Sequence, residues 1–545
     1  MTQPYVLWYS IRHSMNAPNK IYTVFSPENM DRGVFLEMLR PKTTPALALQ
    51  TYEYFENDRG VRESGEAALI AGEQDNVPYL YTKLFDEDGQ PISFELEKKS
   101  LEDIITLLRD PDNPVDLDED VAEITFRSAL FRYKEIEFVE AVQQLNRSDI
   151  TADEKLFYAE KYRRLNEALY GSPDSTMYEK LRGEVWAAID AKILNGDEDA
   201  QRIKSELEQG FDARGVHMRG LERGRCGIDR LTPEAAQWIK EFIFEEFSQY
   251  YQLAVRYWEQ VVVPRALAEG VEPQCTGEEL YEVFSQALTL RDPKGVSGIT
   301  VQKKPNNSNL SWNTPTLSVN IGMAKRAVPV DSPQKLFGKI MHELLGHGGR
   351  TMDGLASKVP MTGFGIFSEF RDGGNPDYLS FEEGLLILLE SIACDELDQQ
   401  LASQWRSENV RYYIAIAAAE LEGRNTAEIY EMTWRYSVLM DLKTGEKLTP
   451  EKIEKAKAAT ARANVRFKRS LPVDMPAGYE HMTYHKDMAY AFGRIKAIPL
   501  LQQLYERGDI ESLRNLFKTH TDPTNPYQKV IAEKAGYGVV YEGSA

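Results

Sequence analysis

The chain has 545 residues, with 64 Lys and Arg against 85 Asp and Glu, a formal net charge of −21, and 42% hydrophobic residues. Such a length admits three or four domains, or one large catalytic body with an appendage. The acidic excess argues against nucleic acid and against an anionic membrane surface as partners, because both demand a surplus of Lys and Arg on the contact face.

Three cysteines, Cys226, Cys275 and Cys394, lie far apart and form no C-x-x-C pair. Neither a disulfide scaffold nor a cysteine-based zinc site is expected from them. The start, MTQPYVLWYS, shows no basic stretch followed by an apolar one. The most apolar runs, Gly384–Leu389 and Tyr412–Ala419, fall short of the roughly 18 residues that span a bilayer. A cytoplasmic location is the expectation.

In chain order, residues 1–115 read as a mixed α/β region. Apolar and aromatic strand-like pieces at Tyr5–Tyr9, Ile21–Phe25 and Ile92–Leu96 alternate with Asn, Pro, Gly and Asp turns. The Pro- and Asp-rich segment Asp110–Asp120 is the linker candidate. Helical periodicity then dominates residues 116–230, over 121–145, 152–170 and 175–210, and leads into a body spanning 231–545. A long aromatic-rich helix is expected over 232–262, with Thr232 as its N-cap and Pro233 at its first position. Two β-branched runs follow, Ser297–Gln302 and Thr316–Ile321, split by a polar turn and Trp312.

The segment SPQKLFGKIMHELLGHGGR (332–350) carries the chemistry. Ser332 can cap a helix that Pro333 opens, and Leu336, Phe337, Ile340, Met341, Leu344 and Leu345 recur at helical spacing as a buried face. Within it stand His342, Glu343 and His347. Metal hydrolases place two histidines at i and i+4 so that both imidazoles grip one ion. Here the spacing is i, i+5, which on an ideal helix puts the rings roughly 140° apart. A bulge or local unwinding must restore one face, and Gly346, Gly348 and Gly349 supply the backbone freedom for it.

A catalytic zinc takes three protein ligands and leaves one position for water. The third is sought in YLSFEEGLLILLES (378–391), after a Gly- and Pro-rich return loop from Gly363 to Pro376. Glu383 is the choice and Glu382 the alternative. A competing reading makes Ser380 and Glu383 a capping box, which would account for the glutamate without any metal. Glu390 lies two turns farther along and can support a ligand histidine from behind.

These residues resemble the metallopeptidase domain of the microtubule-associated tyrosine carboxypeptidases and their bacterial relatives. That family's pattern is H-E-x-x-x-H, then Arg and an Asn-Gly pair, then a helix opening E-G-L. Here these are HELLGH, Arg350, Asp353-Gly354 with Asp in place of Asn, and Glu383-Gly384-Leu385. VRFKRS (465–470) and HKDMAYAFG (485–493) resemble two further family segments, and NEALYGSPD (166–174) is a weaker echo. The likeness spans roughly residues 150–545. HELLGH is also the motif of dipeptidyl peptidase III, whose second motif continues Cys-Arg-Ala where this chain has FEEGLLILLE.

The resemblance implies an α+β, mostly helical, zincin-like metallopeptidase whose active-site helix follows a small β-sheet. It implies one zinc per chain on His342, His347 and Glu383, with Glu343 as general base and a peptide or protein as substrate. An oxyanion donor is sought among His481, Tyr484, His485 and Tyr490, of which Tyr490 has the family match. Arg350, Arg466, Lys468 and Lys486 are candidates for binding substrate, a terminal carboxylate being well matched by arginine. Between Lys443 and Arg469 stand nine basic residues against three acidic, a local +6 that is either substrate-facing or a solvated helix face. A strand such as Thr316–Ile321 could pair with an extended peptide. The competing expectations are a dipeptidyl peptidase III-like aminopeptidase, a silent zinc-containing peptide-binding protein, and a zinc hydrolase acting on another amide.

Overall fold

The computed structural model describes residues 59–75, 83–110, 117–193, 197–305, 307–324, 329–367, 378–394, 407–443 and 445–541, with the short pieces 7–10, 21–24, 38–39, 44–48, 54–55 and residue 405. Helices predominate and the sheets are small. Among the described residues no helix is long and apolar enough to cross a membrane.

Strands β1 (Leu7–Ser10) and β2 (Ile21–Val24) pair antiparallel, followed by α1 (Arg59–Ala71) and α2 (Glu95–Arg109). The strand expected at Ile92–Leu96 is not formed. Glu95 and Leu96 open α2, and the ladder contact nearby among the described residues is a lone bridge between Phe85 and Pro91. Its apolar alternation continues into a helical pattern whose buried positions are Leu101, Ile104 and Leu107. The expected linker falls partly outside the described residues, and Asp118 at its end caps α3.

Helices α3 (Glu119–Leu145) and α4 (Ala152–Tyr170) occupy the positions that periodicity indicates, and Thr151 with Glu154 closes a capping box on α4. The helix expected over 175–210 is two, α5 (Ser175–Lys192) and α6 (Glu198–Gln209), the second capped by Asp197. A β3–β4 hairpin (Phe211–Ala213, Val216–Met218) follows. Thr232 caps α7 (Pro233–Glu246), accepting from the Ala235 amide at 3.2 Å. The remainder of 232–262 is α8 (Ser248–Tyr257) running through a π-helical turn into α9 (Val263–Glu269).

After α10 (Gly277–Arg291) comes a sheet of three strands: β5 (Thr300–Lys304), β6 (Leu310–Asn313) and β7 (Ser318–Gly322). Their order is β5-β7-β6, with β7 parallel to β5 and antiparallel to β6. The run expected to offer an edge to a peptide is therefore the central strand, and both of its edges are already bonded.

One long helix then carries the histidines: α11 (Pro333–Lys339), a π-helical segment (Ile340–Gly348) and α12 (Gly349–Ala356). Helix α13 (Tyr378–Ala393) packs against it. The chain closes with α14 (Ser407–Glu422), α15 (Thr426–Asp441), α16 (Pro450–Phe467), α17 (Ala489–Arg507), α18 (Ile510–Asn515) and α19 (Pro526–Ala535).

Three apolar cores result. The first draws only on residues beyond 230 and packs α7, α8 and α10 under the histidine helix, α13 and α17. The second joins α5 and α6 to α14–α16. The third joins α2–α4 to residues such as Val359, Ile366, Tyr378 and Tyr484. The second and third cross the boundary expected between 230 and 231, so packing does not follow the sequence division. Helix α13 touches the first core through Phe381 and Leu385 and the third through Tyr378, which places it at a junction between them.

Candidate metal centre

The apolar positions that define the histidine helix are all buried: Leu336, Phe337, Ile340, Met341, Leu344 and Leu345. Ser332 caps it, accepting from the Lys335 amide at 3.1 Å. Residues 340–348 adopt π-helical hydrogen bonding, in which each turn holds one extra residue, so i and i+5 fall nearly above one another. The spacing that would separate the two histidines on an α-helix thus brings their rings to a centroid distance of 5.1 Å. Gly346 leaves room for α13, since a Cβ there would lie 2.6 Å from Leu386 Cδ2.

Glu383 reaches toward both rings from α13. Its carboxylate oxygens lie 4.0 Å from His342 Nε2 and 3.8 Å from His347 Nε2. One ligand atom from each of the three lies within 4.8 Å of the others. Ligands of a tetrahedral zinc with bonds of about 2.0–2.2 Å stand roughly 3.3–3.6 Å apart, so the three side chains must draw closer together to hold one ion. The donor set, two imidazole nitrogens and one carboxylate, suits zinc. His342 and His347 are 8% and 6% exposed, whereas the Glu383 side chain is 20% exposed and marks the open side.

Each histidine has a carboxylate behind it. His347 Nδ1 donates to Glu382 Oε1, and His342 Nδ1 lies 2.9 Å from Glu390 Oε2 in a close polar contact that is not an aligned hydrogen bond. Both rings therefore keep Nε2 directed at the shared space, an arrangement that holds metal ligands in one tautomer. Glu382 has other partners: it is 1% exposed, accepts from His520 Nδ1 at 2.5 Å and stands 3.2 Å from Arg350 Nη1. The capping-box reading of Glu383 fails. Helix α13 begins at Tyr378, and the buried Ser380 hydroxyl finds no partner among the described residues.

The electrostatics separate the carboxylates. Burial raises the pKa of Glu343, opposed by the charges of His342, His347 and Lys339. Burial pushes Glu382 the same way, but His520, His347 and Arg350 overcome it and hold that carboxyl well below its usual range. Glu390 likewise is brought down to about 2 by Lys339 and His342 against its burial. Burial opposes the charge on His347, yet Glu382, Glu383 and Glu343 together raise it to about 9. Burial lowers the pKa of His520, whose Nδ1 lies against Glu382 Oε2 and whose Nε2 lies 2.8 Å from Thr351 Oγ1.

Of the remaining candidates, Tyr490 stands within electrostatic reach of Glu383. Burial raises its hydroxyl above the ordinary pKa and keeps it protonated, and the charge of Glu383 acts in the same sense. Arg466 sits next to it: Nη2 donates to Asp487 Oδ1 at 2.8 Å and to Tyr490 Oη at 3.4 Å, and Nη1 to Tyr412 Oη at 3.0 Å.

Arg350 departs from expectation. It is 0% exposed and donates through Nε to the Leu516 carbonyl at 2.7 Å, so it braces Glu382 instead of facing substrate. Lys468 spends its ammonium on the carbonyls of Glu480 and Met482. Lys486 is half-buried on the turn His485–Met488, which leads into the helix that bears Tyr490.

The other oxyanion candidates are elsewhere. His481 is exposed, Tyr484 is packed against Phe55, Phe138 and Tyr170, and His485 bridges Gly171 and Glu420. In the basic stretch, Lys452 pairs with Glu446, and Lys457 pairs with Glu454 at 3.0 Å. Lys457 also lies over the Trp434 ring.

Sequence reasoning passed over His520, Thr351, Tyr412 and Asp487. His520 stands in a polar turn 138 residues from its partner Glu382, where no local pattern marks it. No family model matches the chain, and neither a curated protein nor a solved structure matches it.

Proposed function

We propose that the protein is a zinc-dependent peptide hydrolase of zincin type, carboxypeptidase-like, as its resemblance to the microtubule-associated tyrosine carboxypeptidases implies. The observation that carries the reading is the convergence of His342, His347 and Glu383, with Glu343 adjacent to the first histidine and outside that trio. A purely structural metal site has no use for Glu343.

A zinc ion held by these three residues would supply a Lewis acid and a water of lowered pKa. Burial keeps Glu343 more basic than an ordinary carboxylate, which suits it to take a proton from the attacking water and return it to the leaving nitrogen. The protonated Tyr490 hydroxyl, steadied by Arg466, is the chain's donor for the developing oxyanion. Arg466, partly exposed at 34% of its side chain, is the remaining guanidinium for a substrate's terminal carboxylate.

One observation favours a dipeptidyl peptidase III-like aminopeptidase instead. Asp487 already occupies Arg466, and the same acid brings negative charge near Tyr490, as a substrate's N-terminal ammonium would need.

The test is zinc analysis together with a mass-spectrometric digest of a peptide library by wild type and Glu343→Gln. The expected result is about one zinc in both proteins, chelator-sensitive cleavage by wild type, and turnover lowered about 10²–10⁴-fold in the variant. Loss of single C-terminal residues supports the carboxypeptidase reading, and release of N-terminal dipeptides the other. Undiminished cleavage by Glu343→Gln would sink both.

A further inference from the structure

Lys339, the last residue of α11, reaches the metal centre through one carboxylate. Its Nζ lies 2.7 Å from Glu390 Oε1, while Glu390 Oε2 lies 2.9 Å from His342 Nδ1. Glu390 thus bridges an ammonium and the imidazole nitrogen that faces away from Glu383. The backbone clears the way for it: a Cβ on Gly338 would lie 3.2 Å from Glu390 Cγ and 2.7 Å from Cys394 Sγ. Lys339 also stands one turn ahead of Glu343 and acts on its charge.

We propose that Lys339 is a positioning residue for the metal centre. By holding one oxygen of Glu390 it keeps the other against His342 Nδ1, so that Nε2 stays turned toward His347 and Glu383. The inference rests on the zinc reading of those three residues. A glutamate's terminal torsion is broad and weakly restrained, so an oxygen pinned by an ammonium is what fixes the plane of the second. A carboxylate stripped of its cation in a mostly buried setting carries a desolvation cost, and it relieves that cost by turning to water and leaving the imidazole. Partners that orient ligand histidines from behind contribute to metal affinity through such contacts. The contact between Glu390 and His342 is short but poorly aligned, which makes its dependence on a second anchor greater.

The experiment measures zinc affinity by competition with a chromophoric chelator. It uses the full chain as wild type, Lys339→Met, Lys339→Arg, Glu390→Gln and the double variant that combines Lys339→Met with Glu390→Gln, with thermal melting of each metal-free protein. Lys339→Met is expected to weaken zinc about 10–100-fold, and Lys339→Arg to recover most of that loss. The double variant should bind no more weakly than Glu390→Gln alone, because both changes act through one contact. Unchanged zinc affinity in Lys339→Met, or losses that add in the double variant, overturn the proposal while leaving the metal reading intact. Should Lys339→Met prove unfolded without metal, wild-type affinity in Glu390→Gln overturns it equally. A wild type that binds no zinc overturns the metal reading itself.

Discussion

Gly384 of α13 and Gly493 of α17 meet backbone to backbone. A Cβ on Gly384 would lie 2.0 Å from the carbonyl carbon of Gly493, and one on Gly493 would lie 1.6 Å from the carbonyl oxygen of Ser380. Real side chains do not fit at such distances, so two bare backbones set the separation of the helices. The approach brings Glu383, the neighbour of Gly384, within electrostatic reach of Tyr490, three residues before Gly493.

Gly384→Ala must therefore push α13 and α17 apart through rigid backbone. Inserting a methyl into a packed interior typically costs about 1–3 kcal/mol and occasionally more. With backbone on the opposing side, a loss at or above the upper end is expected in urea unfolding. Zinc affinity should fall with it, because Glu383 moves with its helix. Stability and affinity near wild type in this variant would contradict the packing described.

Tyr490→Phe tests the hydroxyl without disturbing the ring, which lies 5.9 Å from that of Tyr412. Zinc affinity should not change, since Tyr490 supplies no ligand. Turnover should fall about 10²–10³-fold, the range for removal of one oxyanion donor, with the loss in kcat rather than KM. A variant with unchanged kcat removes Tyr490 from the chemistry and leaves the donor to be sought elsewhere.

What the sequence made legible follows the range of the interactions. Helices α3 and α4 carry their own caps at Asp118 and Thr151, and their positions could be read locally. The i, i+5 spacing of His342 and His347 demanded a departure from α-helix, and the structure realises it as a π-helical segment rather than a single bulged residue. Strand β6 escaped notice because LSWN is four residues in a polar stretch, and its register is set by β7. The roles of Arg350 and Glu382 were equally invisible. Whether an arginine faces substrate or braces a glutamate depends on Leu516 and His520, which approach only in the folded chain.

Glu382 joins His347, His520 and Arg350 in a buried cluster. Replacement by Ala leaves the Arg350 guanidinium, at 0% exposure, without its carboxylate. Breaking such a buried pair costs about 3–5 kcal/mol, and the protein is expected to unfold at correspondingly lower urea. Glu382→Gln keeps the shape but weakens the hold on His347, so zinc affinity should drop about 10–100-fold. If Glu382→Gln abolished zinc binding as completely as His347→Ala, Glu382 would be acting as a ligand, against the geometry.

Lys468 offers a pH test at a group outside the cluster of His342, His347 and Glu383. Its ammonium donates to the carbonyls of Glu480 and Met482, at 3.2 and 2.7 Å, and clamps the chain ahead of the segment that bears Tyr490. Burial disfavours the charge and lowers the pKa to about 8 from 10.5, although Glu420 acts in the opposite sense. A base whose folded value lies below its unfolded value destabilises the fold while both states are protonated. Between pH 8 and 10.5 the unfolded chain binds the extra proton, so unfolding free energy rises with pH across that window.

Other lysines and tyrosines titrate there too, but they are shared by a Lys468→Met variant and cancel in the difference. Wild type should therefore gain on Lys468→Met as pH rises, by about 2 kcal/mol after discounting the partly exposed side chain. Urea unfolding of both proteins at several pH values across the window reads this directly. A difference that stays flat with pH would mean that the ammonium keeps its ordinary pKa, and that the two carbonyls compensate its burial in full.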